Sequence, residues 1–220
     1  MHLSQGFRLL DDFLSHEEMT QCNENLPEIS KDKKSGGIRG IEKKSPDIRA
    51  LISSEKMLST VSDILKSKPR FVRAILFNKT VENNWMVAWH QDKTVAVSKK
   101  FALEGWGPWS IKDGSHHVQP PISVLEKMVT CRIHLDDANT ENGCLKVIPY
   151  SHQLGILSHA QIQKIIEHSR YVNCEAKAGS MLVMKPHILH ASSKVPEPSQ
   201  RRIIHVEYSS YALPHGVSWA

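Results

Sequence analysis

From Phe71 onward the chain breaks into short segments rich in β-branched and aromatic residues: "RFVRAILFNKT", "WMVAWHQDKTVAV", "MVTCRIHLDD", "GCLKVIPYSH", "RYVNCEA", "SMLVMKPHILHA" and "RRIIHVEYSS". Turn-forming residues separate most of them, at Asn142-Gly143, Ala178-Gly179 and the "VPEPSQ" loop. Roughly seven short strands at this spacing predict a sandwich or a barrel, with the jelly roll a natural candidate. Two helices interrupt the series. One follows Pro121 ("ISVLEKM"), and one is capped by Ser158 and Gln161 ("HAQIQKIIEHSR").

Before Phe71 the pattern differs. A short strand at Gly6 to Leu10 leads into a helix opened by Ser15 and Glu18, which make a capping box. A second helix at "SSEKMLSTVSDILKSK" places Met57, Leu58, Val61, Ile64 and Leu65 on one buried face. At 220 residues the chain fits one domain. The expected organisation is residues 1–69 as amino-terminal strand and helices and 70–210 as the β core. An insertion at about 97–121, too rich in Gly, Pro and Trp for a plain strand pair, reads as a lid.

Hydrophobic content of 40% and charged content of 23% are those of a globular chain and exclude disordered and fibrous classes. The net charge of +5 invites a nucleic-acid reading, but the basic residues are scattered. The densest run, Lys31 to Lys44, is interleaved with acids and glycines and reads as a solvated loop. Cys22, Cys131, Cys144 and Cys174 have no metal-knuckle or disulfide spacing, so reduced thiols are expected. Neither a secretory leader nor a long apolar stretch is evident, which predicts a cytoplasmic protein with no membrane or nucleic-acid partner.

The chemistry is concentrated at "WMVAWHQDKT". In an extended segment His90 and Asp92 share one face while Gln91 points away. One imidazole and one carboxylate are two-thirds of the facial triad of non-haem Fe(II) oxygenases. With 13 histidines in the chain the pair is no proof, and His134-Leu135-Asp136 repeats it. A third ligand is available at His187 or His190 in "KPHILHASS". Arg201 and Arg202 open the next strand, where a guanidinium could grip the distal carboxylate of a dicarboxylic co-substrate. An iron ligand and a carboxylate clamp are then expected on two adjacent strands. Trp85 and Trp89, off the His90 face, read as core packing, and Trp106 and Trp109 as candidate pocket walls in the lid. Lys79 and Asn78 are candidate co-substrate contacts. His116, His117, His152 and His205 read as structural or surface residues.

Taken together, "WHQD", "ENGCLKVIPYSH", "AGSMLVMKPHILHASS" and "RRIIHVEY" resemble the phytanoyl-CoA dioxygenase family of Fe(II)- and 2-oxoglutarate-dependent oxygenases over roughly Phe71 to Ser210. The resemblance implies a mainly β fold with flanking helices around a double-stranded β-helix, the cupin-like jelly roll. It also implies that His90, Asp92 and His190 are the metal ligands, His190 because it stands in "HAS", with His187 a neighbour. Arg201 matches the arginine that binds the distal carboxylate of 2-oxoglutarate, with Arg202 on the other face. Ser192 matches a secondary co-substrate contact, and Arg132 a pocket side chain touching 2-oxoglutarate or the primary substrate. His134 stands where the family often has a small or apolar residue and reads as a pocket or core histidine.

The implied reaction consumes dioxygen, converts 2-oxoglutarate to succinate and CO2, and hydroxylates a small organic substrate. An intact Asp92 points to hydroxylation rather than halogenation. The resemblance gives the reaction type and not the substrate, because the 97–121 insertion is larger than in fatty-acyl members. Two alternatives stand beside it: a non-catalytic metal and 2-oxoglutarate sensor, and a cupin-type zinc hydrolase or isomerase.

Overall fold

The computed structural model describes residues 2–24, 26–30, 37–80, 82–194 and 200–220. Most of the "VPEPSQ" loop and the first part of the Lys31 to Lys44 run lie outside the described residues. The first seven strands are β1 (Phe7–Leu10), β2 (Ile38–Arg39), β3 (Arg70–Lys79), β4 (Val87–His90), β5 (Val95–Val97), β6 (Trp109–Lys112) and β7 (Ser115–Val118). They are followed by β8 (Met128–His134), β9 (Leu145–Val147), β10 (Val172–Cys174), β11 (Met181–Met184), β12 (His190–Ser192) and β13 (Arg201–Ser209). The helices are α1 (His16–Glu24), α2 (Leu26–Ser30), α3 (Ile41–Lys44), α4 (Pro46–Ile52), α5 (Glu55–Leu65), α6 (Ile122–Leu125) and α7 (His159–His168).

Two antiparallel sheets make the double-stranded β-helix. The larger runs β1-β11-β8-β13-β3-β2 and the smaller β10-β9-β12-β4. Pleating gives each central strand of the larger sheet two unlike faces. Ala74 and Leu76 on β3, Val129, Cys131 and Ile133 on β8, and Ile204, Val206 and Tyr208 on β13 pack in one apolar cluster with Ile41, Ile48, Met57 and Val61 of the helices. Their alternates Arg73, Ile75, Phe77 and Lys79, Arg132, and Arg201 and His205 line a cavity between the sheets. Helices therefore seal one side of the sheet and leave the other for chemistry.

Helix starts follow their capping signals. The amide of Ser15 donates to Glu18 at 2.7 Å and that of Glu18 to Ser15 Oγ at 3.2 Å. Ser158 and Gln161 make the reciprocal box, and Ser54 caps α5. Neither α3 nor α4 is among the helices expected from periodicity, because each is too short to show any. The available signal for α4 was Ser45-Pro46, where the serine accepts from the Ile48 amide and proline takes the first helical position.

Three expectations need correction. "SMLVMKPHILHA" is two strands: β11 belongs to the larger sheet and β12 to the smaller, with the break at Pro186, which has no amide hydrogen for a ladder. For the same reason the His190 and Arg201 strands are not adjacent; they stand in opposite sheets and face each other across the cavity. The insertion does contain a strand pair. β6 and β7 form a hairpin that joins β5 in a third small sheet, and Trp106, Phe101 and Trp109 pack with Val95, Val118 and Tyr211.

All four cysteines are free and buried. No helix among the described residues is long and apolar enough to cross a membrane. The sheet is tied to the helical layer at Tyr208, a fully buried ring whose hydroxyl donates to the Ile52 carbonyl at 2.5 Å. Tyr208→Phe leaves that carbonyl without its donor and is expected to cost about 1 kcal/mol, read as a lowered urea midpoint at unchanged slope.

Candidate metal centre and anion pocket

β4 ends at His90, so Asp92 lies in the connection beyond it rather than in a regular strand. Its position is fixed instead by its amide, which donates to the Pro186 carbonyl at 2.9 Å. Between them Gln91 does point away. Its side-chain amide donates to the carbonyls of His187 at 2.7 Å and Gly155 at 2.8 Å, and its oxygen accepts from the Leu157 amide at 2.9 Å. From the facing strand His190 pairs in register with His90.

Both imidazoles are oriented by the backbone. His90 Nδ1 is 2.8 Å from the Ala88 carbonyl and His190 Nδ1 is 2.8 Å from that of Ile188. A carbonyl only accepts, so Nδ1 carries the hydrogen and the Nε2 lone pairs face inward. His90 Nε2 lies 3.6 Å from Asp92 Oδ1 and His190 Nε2 3.5 Å from Asp92 Oδ2. The three ligand atoms fall within 4.8 Å of one another. Burial pushes His190 down to about 3, so it is a neutral donor.

These groups open on a cavity of about 210 Å3. Its walls are Ile75, Phe77, Trp85, Val87 and Leu145, and its polar lining includes Lys79, Arg132, Ser192, Arg201 and His205. Arg201 Nε and Nη1 and Arg132 Nε are buried with no hydrogen-bond partner among the described residues. Lys79 donates to the Ser193 carbonyl at 2.9 Å and lies 3.4 Å from Ser192 Oγ and 5.4 Å from the Trp85 ring centre. Burial, reinforced by Arg201 and Arg132, pulls its ammonium down to about 8.

A buried ion network backs the pocket. Arg73 donates to Glu207 at 2.6 Å, Glu207 lies 3.2 Å from His205 Nε2, and Arg132 lies 3.2 Å from His205 Nδ1. Asp92, His205 and Glu207 also have metal-ligand spacing. The Arg73 guanidinium already occupies Glu207, so this second group is an ion-pair network.

His90, Asp92, His190, Arg132, Ser192 and Arg201 thus converge on one cavity. Arg202 turns to the other face, where both ends of its guanidinium meet Asp136 at 2.8 and 2.7 Å, which engages the carboxylate of the second His-x-Asp. Lys79 points in and its neighbour Asn78 out. Trp85 is a wall rather than core, because the chain leaves regular strand before β4; Trp89 packs against the Ile148, Leu157, Ile162 and Leu189 cluster and beside Tyr171, the packing role expected of it. Trp106 and Trp109 do not reach the cavity: they pack on Phe101 at 4.9 and 5.2 Å. No residue of the 97–121 insertion lines it. His187 faces His152 at 6.1 Å and takes no part. His205 and Arg73 were missed as site residues. Their signal was a two-residue period, since Arg73 and Lys79 on β3, and Arg201, His205 and Glu207 on β13, are charged or polar alternates in otherwise apolar strands.

The donor set fits a redox-active divalent metal, and the unpartnered guanidinium nitrogens fit a carboxylate. Fold and site together define a jelly-roll enzyme of the Fe(II)- and 2-oxoglutarate-dependent class. The chain belongs to the phytanoyl-CoA dioxygenase (PhyH) family, whose profile matches residues 3–203. Among solved structures it is similar to AviO1 from Streptomyces viridochromogenes Tue57, with 19% identity over 96% of this chain and 93% of that one and a TM-score of 0.72. It is also similar to EctD from S. alaskensis, solved with 2-oxoglutarate and 5-hydroxyectoine (16% identity, 94% and 73% covered, TM-score 0.71). A third is SnoK, a non-haem alpha-ketoglutarate-dependent carbocyclase from nogalamycin biosynthesis (18%, 94% and 80%, 0.70). At these identities the likeness is one of fold. No curated protein sequence matches the chain.

Lys79 gives a pH signature. Its folded value lies below the ordinary 10.5, so between about 8 and 10.5 the unfolded chain binds more protons and this group makes the fold more stable as pH rises. Lys79→Met is expected to raise ligand-free stability near neutral pH and to remove that gain, read from urea midpoints across the window.

Proposed function

We propose that residues 1–220 act as one oxygenase domain in which His90, Asp92 and His190 hold Fe(II), and Arg201 with Lys79 and Ser192 holds the distal carboxylate of 2-oxoglutarate. The enzyme then hydroxylates a small organic substrate, consuming dioxygen and releasing succinate and CO2. One observation carries the reading: two inward Nε2 atoms and a carboxylate converge on a cavity that also holds a buried guanidinium with unpartnered nitrogens.

Bound there, the metal supplies the activation of dioxygen by an electron-rich co-substrate. The protein's own residues do the positioning. The Ala88 and Ile188 carbonyls fix both imidazole tautomers, and Gln91 and the Pro186 carbonyl fix Asp92. Phe77, Val87 and Leu145 thin the water around the reacting centre, which strengthens each charge contact inside. Asp92 occupies the position that a halide would need, which favours hydroxylation over halogenation. SnoK's carbocyclisation marks a different outcome for the same class, and the product decides between them.

Anaerobic titration with Fe(II) and then 2-oxoglutarate is expected to give the weak visible charge-transfer band of a chelated co-substrate. Asp92→Ala should abolish it. Arg201→Ala should weaken 2-oxoglutarate binding by about thirtyfold or more, since truncating one partner of a buried charge pair costs roughly 2 kcal/mol or more. Iron binding without any band rejects the proposal in favour of a zinc cupin, and succinate formation separates enzyme from 2-oxoglutarate sensor.

A further inference from the structure

The pocket holds more positive charge than the metal and co-substrate use. Arg73 is matched by Glu207. Of the remaining lining charges, Lys79, Arg132 and Arg201 stand against Asp92 alone. A divalent metal and dianionic 2-oxoglutarate cancel each other, so a surplus of positive charge persists even with Lys79 neutral. A buried charge demands a partner.

Arg132 is where the surplus sits. Strand register places Arg201 opposite Lys79, whereas Arg132 is opposite His205, four residues further along β13. The Arg132 backbone is therefore at a different level of the sheet, while its guanidinium reaches over Phe77 toward Lys79 and Arg201. It is also rigidly aimed. Arg132 donates to His205 Nδ1, which forces the imidazole hydrogen onto Nε2, and Nε2 donates to Glu207. The guanidinium carbon lies 5.6 Å from the Phe77 ring centre, and Nε has no partner among the described residues. An arginine held by a histidine and an aromatic face, with a nitrogen left over, is a preformed anion receptor. Its receptor space is small: about 210 Å3 for everything that enters, below the roughly 300–1,000 Å3 of ordinary ligand pockets.

We infer that Arg132 is a specificity residue that binds an anionic group, a carboxylate or a phosphate monoester, on a small primary substrate. This rests on the iron and 2-oxoglutarate reading of the same cavity and adds the substrate class to it.

The test uses the anaerobic Fe(II) and 2-oxoglutarate complex, titrated with short monocarboxylates, short-chain phosphate monoesters and the amides of the same acids. Binding is read by perturbation of the charge-transfer band and by calorimetry, without turnover. One anion series is expected to bind, with the matched neutral compounds weaker by about tenfold or more. Arg132→Gln should weaken those anions about tenfold to a hundredfold, the worth of a charge-assisted hydrogen bond, and weaken 2-oxoglutarate binding clearly less. Arg132→Lys, which keeps the charge but loses the fork, should fall between. The retained 2-oxoglutarate response shows that each variant is folded. Amides that bind as well as acids overturn the inference. So does loss of 2-oxoglutarate binding in Arg132→Gln equal to the loss of anion binding, which makes Arg132 a co-substrate residue. Uptake of 2-oxoglutarate with no anion bound overturns this inference alone, whereas no uptake by the wild type overturns the proposed function itself and this inference with it.

Discussion

The two-residue period of β3, β8 and β13 divides hydrophobic folding from polar chemistry within the same strands. Three neighbouring strands present Ala74, Leu76, Val129, Cys131, Ile133, Ile204 and Val206 to the helices. That burial is non-directional and large, so it anchors the sheet regardless of what the other face carries. The other face can then hold Arg73, Lys79, Arg132, Arg201, His205 and Glu207 in the interior, an arrangement no core would tolerate by itself. A one-residue slip of β13 would exchange the two faces and bring arginine into the helix interface. Register, locked by the Tyr208 anchor and the helical layer, is thus also what keeps the site in place.

The buried charges are not alike. Arg73 and Glu207 satisfy each other, and His205 links them to Arg132. Arg201 and Lys79 make no ion pair among the described residues, and burial weakens the Lys79 ammonium. Such groups oppose folding while they stay unpaired and favour binding by the same margin once an anion arrives. This end of the cavity is held together by the rest of the fold, and a ligand is what relieves it.

Much of this was legible in the chain. The seven β-rich segments and the caps at Ser15 and Ser158 follow from local periodicity and capping signals, whereas His190 was preferred to His187 only through the family resemblance. The misses have physical causes. Strand membership in one sheet or the other depends on crossovers, and Pro186 marked one without saying where the chain went next. Short helices such as α3 and α4 carry no period, and of the two only α4 has a side-chain cap. Trp106 and Trp109 looked like pocket walls because aromatic side chains serve equally as walls and as core, and only packing on Phe101 decides. Arg73 and His205 were readable in principle, because polar alternates in apolar strands have to face something polar.

Gln91 is the residue that a motif reading passes over, the unspecified middle of His-x-Asp. Its three hydrogen bonds reach the loop before His190 and the segment that leads into α7, so the two halves of the ligand set are stitched together behind the site before any ligand arrives. In kinetic terms the centre then resembles a socket more than a jaw. Ions enter and leave a geometry that already exists, and the entropy of gathering three distant ligands is lost once, when the chain folds, rather than at each binding event.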